Sequence, residues 1–419
     1  MARKVPLWQR NLAMLWISQL LVMAGFSAMA PFVSLFMKED LHIIDEKELA
    51  LNVSLFAFFG TLGYAIFCPI WGKLSDWFGT KPMLLRGTFV TAFLFPMMGY
   101  VSGPGWLQFL RFLTAACAGT TAASQIMIAR NTPDERQGFA QGVLSTAIWG
   151  GAMLGNVFGG LIIHYFSYLA AFWFCGILYF LGGFAILFTR EDFTPEMRAA
   201  RKQARPHRYS PGWWPALSMP VFCMIVLSLV NGVIRGIDGP FVALKVEQMT
   251  SAESAAYWTG IISAVICGFS ILAGILTGYL ADLLPPKKFV VPLLVISAVT
   301  MWLQGFTTSL LVFLVARTAL SCVAGGISPV VQKVLSQVSP KRKRGASFGF
   351  ASLGGNIGAM IAAGLGGWSM AVFQLNSVFY VGAILFLLSI PVFSRLLDVA
   401  LTPYRMPGVH HRRSGLRHH

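Results

Sequence analysis

Twelve long apolar runs separated by short polar corners dominate this sequence, at residues 12–37, 51–71, 87–102, 107–129, 139–166, 170–188, 216–243, 257–281, 289–307, 309–332, 346–368 and 372–394. Each is long enough, or nearly so, to cross a bilayer core of about 30 Å. Hydrocarbon offers a backbone N–H or C=O no water to bond, so only helices and closed barrels span it. Barrel strands alternate apolar and polar positions over about ten residues, and these runs do not alternate. The fold class is therefore an all-α membrane protein with twelve transmembrane helices. Composition agrees: 11% of the 419 residues are charged, against roughly 25% in a soluble domain. The N-terminus has Arg3, Lys4 and an "AMA" at 28–30, features of a signal peptide. Its apolar stretch exceeds the roughly 7–15 residues of a signal core, so it is expected to remain as the first span.

A net charge of +16 raises the possibility of a nucleic-acid partner, but the distribution argues against one. With both termini in the cytoplasm, all but six of the 32 Lys and Arg fall on the cytoplasmic side. Lys38, Lys47 and Lys245 lie outside, and Arg111, Arg235 and Arg317 lie within spans. Cytoplasmic loops carry the excess of basic residues in membrane proteins, so the charge reports orientation in a cytoplasmic (inner) membrane. The six cysteines all fall in predicted spans, without zinc-site spacing, and read as small packing residues.

The chain is internally repeated. A shift of 206 carries Gly72, Leu74, Asp76 and Lys81 onto Gly278, Leu280, Asp282 and Lys287, and Arg111 onto Arg317. A shift of 207 carries Gly142, Gly151 and Gly159 onto Gly349, Gly358 and Gly366, and "PFVSL" at 31–35 returns as "PFVAL" at 240–244. So narrow a register marks a duplicated six-helix unit. The domains are therefore an N-terminal bundle (1–188), a basic cytoplasmic linker (189–214), a C-terminal bundle (215–394) and a basic tail (395–419). Within the linker, Thr194-Pro195-Glu196 forms a helix start; a short interfacial helix and a plain tether both fit. Two similar halves facing each other suit alternating access, with cargo held between them near the midplane.

Three motifs give this chain a resemblance to the major facilitator superfamily, most of all to its twelve-span drug:proton antiporters of the MdtG type. In the loop signature, Gly72, Asp76, Gly79 and Lys81 match, while Trp77 and Thr80 replace basic residues; the resemblance implies a cytoplasmic gating corner there and at Gly278, Asp282 and Lys287. In the fifth span, Gly142, Gly151, Gly155 and Gly159 match the antiporter glycine spacing, with Asn156 in place of the expected proline. Arg111 matches the fourth-span arginine. The resemblance implies two pseudo-symmetric bundles, a monomer, and export driven by a proton gradient without a bound cofactor.

Of sixteen acidic residues, only Asp238 falls inside a predicted span. A charge at the bilayer centre costs roughly 2.5–3.5 kcal/mol on insertion scales, so it faces a cavity or a partner. Asp238 is a candidate proton carrier; a standing pair with Arg235, three residues back on one helix face, and a hydrated position near the outer helix end are the alternatives. Arg111, Arg235, Arg317 and Asp238 together give an outer polar layer with three cations and one anion, an excess suited to neutral or anionic amphiphiles, unless the arginines only tie helices through carbonyls. Phe26, Phe32, Gln125, Asn231 and Phe241 are candidate cavity walls. The expected function is export of small organic compounds in exchange for protons, with a metabolite importer or facilitator as the alternative. A receptor or membrane enzyme would need clustered His, Glu or Cys near the spans, which His164 alone does not supply.

Overall fold

The computed structural model describes residues 6–133, 136–190, 218–283, 285–339 and 344–401. Most of the linker and the tail from 402 onward lie outside the described residues, as do the side chains of Gly72, Asp76, Gly278 and Asp282. Every regular element among the described residues is a helix, with no strand. The N-terminal half contains α1 (Leu7–Ser27), α2 (Val33–Glu39), α3 (Glu46–Phe78), α4 (Thr80–Met98), α5 (Pro104–Cys117), α6 (Thr120–Asn131), α7 (Gln137–Tyr165) and α8 (Tyr168–Leu187). The C-terminal half contains α9 (Met219–Gly236), α10 (Val242–Met249), α11 (Ala252–Leu283), α12 (Pro286–Phe306), α13 (Leu310–Gly325), α14 (Ile327–Val338), α15 (Arg344–Phe373) and α16 (Asn376–Leu401). Among the described residues, nine stretches are long and apolar enough to cross a membrane. Joining each interrupted pair, the helices fall into twelve units, consistent with the twelve runs.

The interruptions are regular. Spans one, four, seven and ten are each broken, between α1 and α2, α5 and α6, α9 and α10, and α13 and α14. In spans one and seven the break is a single 3₁₀ turn, Ala30–Phe32 and Gly239–Phe241, at the two "PFV" sequences. Proline lacks an N–H and cannot continue the preceding hydrogen-bond ladder, so the repeated Pro31 and Pro240 place the breaks. In span four the break falls at Gly119, whose φ of 115° suits a residue without Cβ. Non-helical backbone at membrane depth is tolerated where it lines a cavity or is covered by protein.

Glycines set how close the helices come. A Cβ at Gly151, Gly155 or Gly159 would strike the carbonyls of Leu20, Ala24 or Ala28, so α7 lies directly on α1. The second half repeats this, with Gly354, Gly358 and Gly366 of α15 against the carbonyls of Ile225, Leu229 and Ile237. Gly142 belongs to the same spacing but has open space where a Cβ would go, so close packing does not require it. The halves meet along two seams, α7 on α11 and α3 on α15. A Cβ at Gly160 would lie 2.7 Å from the Ala256 carbonyl, and one at Gly260 2.6 Å from that of Asn156. Gly367, the 207-shifted partner of Gly160, sits against Ser54 and Ala50 at the other seam. Asn156, where the antiporter pattern has proline, faces this seam and donates to Cys267 Sγ at 3.6 Å.

Two duplicated lysines tie the third span of each half to its sixth, α4 to α8 and α12 to α16. Lys81 Nζ donates to the carbonyls of Leu187 and Thr189 at 2.8 and 2.6 Å, satisfying groups that the end of α8 leaves without helical partners. Lys287 reaches Asp398 of α16 at 2.6 Å. Each of these contacts stays within one half.

Candidate functional site

A crevice between the halves is built around the breaks. A cavity of about 220 Å³ is lined by Phe26, Met29, Phe56, Met98 and Arg111 from the first half and by Gly239 and Pro240 from the broken seventh span. A second cavity, about 310 Å³, shares Phe26 and Arg111 and adds Gly60, Tyr64, Thr120, Thr121 and Tyr179, with Asn356 from α15. A third, about 330 Å³, shares Asn356 and lies against Asn231, Ser328 and Gln332. The first is mostly apolar; the third is studded with amides and hydroxyls.

The four predicted charges separate into different environments. Arg317 pairs with Asp238, with side chains only 14% and 4% exposed, and its Nη1 also donates to Gln304 Oε1 at 3.4 Å. The Arg235–Asp238 pair, one of the alternatives that helical spacing offered, is not the one formed. Arg235 instead donates to Ser328 Oγ at 3.1 Å, which Asn231 also reaches at 3.0 Å. The reason is the break: α9 ends at Gly236 and Asp238 stands at the start of the 3₁₀ turn, so the face-sharing rule for a continuous helix does not apply. The hydrated position is also corrected, because Asp238 is 3% exposed and the span continues through α10 to Met249. Lys245, expected outside, is buried on α10 and donates to Asn376 Oδ1 at 2.6 Å.

Arg111 sits differently. Its guanidinium carbon is 5.3 Å from the Phe26 ring centroid and 5.1 Å from that of Phe56, and a Cβ at Gly60 would lie 2.5 Å from its Nε. Among the described residues no carboxylate pairs with it, and Nε is buried without a hydrogen-bond partner. A cation over an aromatic face gains about 0.5–2 kcal/mol, whereas withdrawing a charge from water costs several. Two rings therefore leave this arginine under-compensated.

The remaining predicted wall residues divide. Phe26 lines two cavities. Phe32 and Phe241 are fully buried instead, packed near Gly160 and Gly366. Gln125 is exposed on α6, and its carbonyl accepts from Gln141 at 2.9 Å. Sequence reasoning missed Phe56, Met29, Met98, Tyr179 and Asn356; comparison of the two halves at the 206 and 209 shifts would have singled out both methionines.

Residues 15–276 and 234–413 each match the sequence profile of the Major Facilitator Superfamily. The chain belongs to that family. Among its relatives, the multi-drug resistance efflux pump PmrA of Streptococcus pneumoniae is 28% identical over 89% of this chain and 92% of its own. The multidrug resistance protein MdtG of Dickeya zeae is 28% identical over 90% and 91%. The crystal structure of a D-xylose–proton symporter superposes with a TM-score of 0.73 at 15% identity, covering 93% of this chain and 97% of that one. An inward-facing bacterial homologue of the lysosomal transporter Spinster gives 0.70 at 14%, covering 96% and 98%. The family and these relatives are transporters, and the chain is a multi-pass membrane protein of this fold.

In this member of the superfamily the two halves are joined at the end that carries the 38–49 loop. Lys38 bridges to Glu247 at 2.6 Å, and His164 Nδ1 lies 2.7 Å from the Glu253 carbonyl, a contact that needs the Nδ1–H tautomer. The bridge is partly exposed, with Lys38 40% and Glu247 12% accessible, and such pairs contribute up to about 1 kcal/mol. Glu247→Gln is therefore expected to shift the balance toward opening at this end by about fivefold. Labelling of a cysteine placed at Ala30 with a membrane-impermeant maleimide measures the shift; an unchanged labelling rate removes the bridge from the gate.

Proposed function

We propose that this protein exports small organic compounds, neutral or anionic amphiphiles above all, in exchange for protons by alternating access. It does so as a monomer in the cytoplasmic membrane, with both termini in the cytoplasm and the proton gradient in place of any cofactor. The observation that carries this reading is the crevice lined from both halves, next to a buried ion pair and joined at one end by Lys38–Glu247. The multidrug efflux relatives support organic cargo. Asp238, the one acid within a predicted span, supports proton exchange: a carboxylate released from Arg317 in one access state can take up a proton there and return it in the other.

The importer reading keeps one point of support, because the symporter shares this fold. The sign of coupling separates the two. In liposomes with an acidic lumen, adding a transported compound outside should alkalinise the lumen as protons leave in exchange. Symport would acidify it, and the absence of cargo-dependent proton movement would remove proton coupling altogether. Screening cationic, neutral and anionic aromatic compounds in the same vesicles reads the cargo class directly.

A further inference from the structure

Duplication makes each half a control for the other. Arg111 and Arg317 are equivalent at the 206 shift, each seven residues into its helix, α5 or α13. The same shift takes Gln304 to Met98, a register anchored by Gly99 and Gly305. At the 209 shift set by "PFVSL" and "PFVAL", Asp238 corresponds to Met29. The groups that satisfy Arg317 in the second half, a carboxylate and an amide oxygen, are thus replaced around Arg111 by two thioethers. Met29 and Met98 line the same cavity as Arg111, so the comparison is spatial as well as sequential. One half holds its arginine neutralised; the other keeps it without a counter-ion among the described residues and turned toward two cavities.

We propose that Arg111 is the anion-recognising group of the cargo site, selecting compounds that carry a carboxylate or sulfonate on a flat aromatic body. The surroundings set this chemistry. Phe26 and Phe56 lie against the guanidinium, and its rim of five N–H donors suits a two-oxygen acceptor in the guanidinium plane. Apolar Met29, Val33, Met98 and Phe172 line the rest of the cavity and accept the ring. Thioethers suit this place because they are polarizable and adaptable and, unlike Asp238, do not compete for the guanidinium. Arg317 takes no part in recognition, because Asp238 already occupies it. The proposal rests on the transport reading only for the steps after binding.

Equilibrium binding without a pH gradient therefore tests it separately from coupling. The probes are naphthalene-1-acetate and naphthalene-1-acetamide, which share a ring and differ in charge, titrated into purified full-length protein by calorimetry. The wild type should favour the carboxylate. Arg111→Gln should weaken the carboxylate about tenfold or more, as expected for loss of a charged bidentate contact, and the amide far less. Combining Met29→Asp with Met98→Gln installs the second half's partners around Arg111 and should also abolish the preference, with retained amide binding reporting a folded cavity. Equal loss of both probes in Arg111→Gln overturns the proposal, as does a wild type that holds the two equally or not at all. Loss of proton coupling in liposomes with the carboxylate preference intact would remove the antiport reading and leave the anion site standing.

Discussion

Replacing Asp238 by Asn should lower the melting temperature of the purified protein more than replacing Asp238 and Arg317 together. Asp238 and Arg317 compensate each other in a place that water barely reaches. Removing one partner of a buried pair leaves an uncompensated charge and costs about 3–5 kcal/mol, whereas removing both with groups of similar volume is often neutral or stabilising. Asp238→Asn alone strands the Arg317 guanidinium with Gln304 as its remaining hydrogen-bond partner. The double variant with Asp238→Asn and Arg317→Met removes the stranded charge and should recover most of the loss. Scanning fluorimetry in detergent at fixed protein concentration measures all three proteins. If the double variant melts as low as the single one, the pair is not what holds this region together. The same proteins bear on coupling: with the fold recovered, the double variant should exchange cargo down its gradient but no longer respond to an imposed pH difference. A retained response would assign proton carriage to another group.

Much of the architecture was legible because bilayer chemistry writes it into long stretches of sequence. The apolar runs found the spans, and the register of Gly72, Arg111 and "PFVSL" against Gly278, Arg317 and "PFVAL" found the duplication. The breaks in spans one, four, seven and ten were not found, because hydropathy does not sense a single 3₁₀ turn and the apolar run simply continues through Val33–Met37. The site suffered from the same blindness. Pairing Asp238 with Arg235 assumed an uninterrupted helix, and Pro240 had removed it. The true partner, Arg317, is distant in sequence, and only tertiary packing brings it near. Phe32 and Phe241 illustrate a different gap: an aromatic on a cavity-lining span faces the cavity or the core according to a rotation that the sequence leaves open, and here both fill the core. The antiporter glycines were recognised as a set, yet they do not act as one, since Gly142 packs against nothing.

That division extends to neighbours in the chain. Gly159 and Gly160 are adjacent on α7, and a helix turns about 100° per residue, so they face different partners. A Cβ at Gly159 would strike the backbone of Ala28 within the same half; one at Gly160 would press on Ala256 and Gly260 of the other half. Backbone cannot swing aside as a side-chain tip can, and overpacking of this kind typically costs about 1–3 kcal/mol or more. Gly159→Ala should therefore separate α7 from α1 and lower the melting temperature in every access state. Gly160→Ala strains a seam that alternating access is expected to loosen near the Lys38–Glu247 end. Its cost should fall on the closed arrangement alone and favour the state open at that end, with labelling of a cysteine placed at Ala30 rising roughly tenfold for about 1.4 kcal/mol of bias. Melting temperature and labelling should thus move in opposite proportions for two identical substitutions at consecutive positions. If Gly160→Ala destabilises as much as Gly159→Ala without changing labelling, α7 and α11 remain fixed together throughout the cycle, and the moving seam must be sought between α3 and α15.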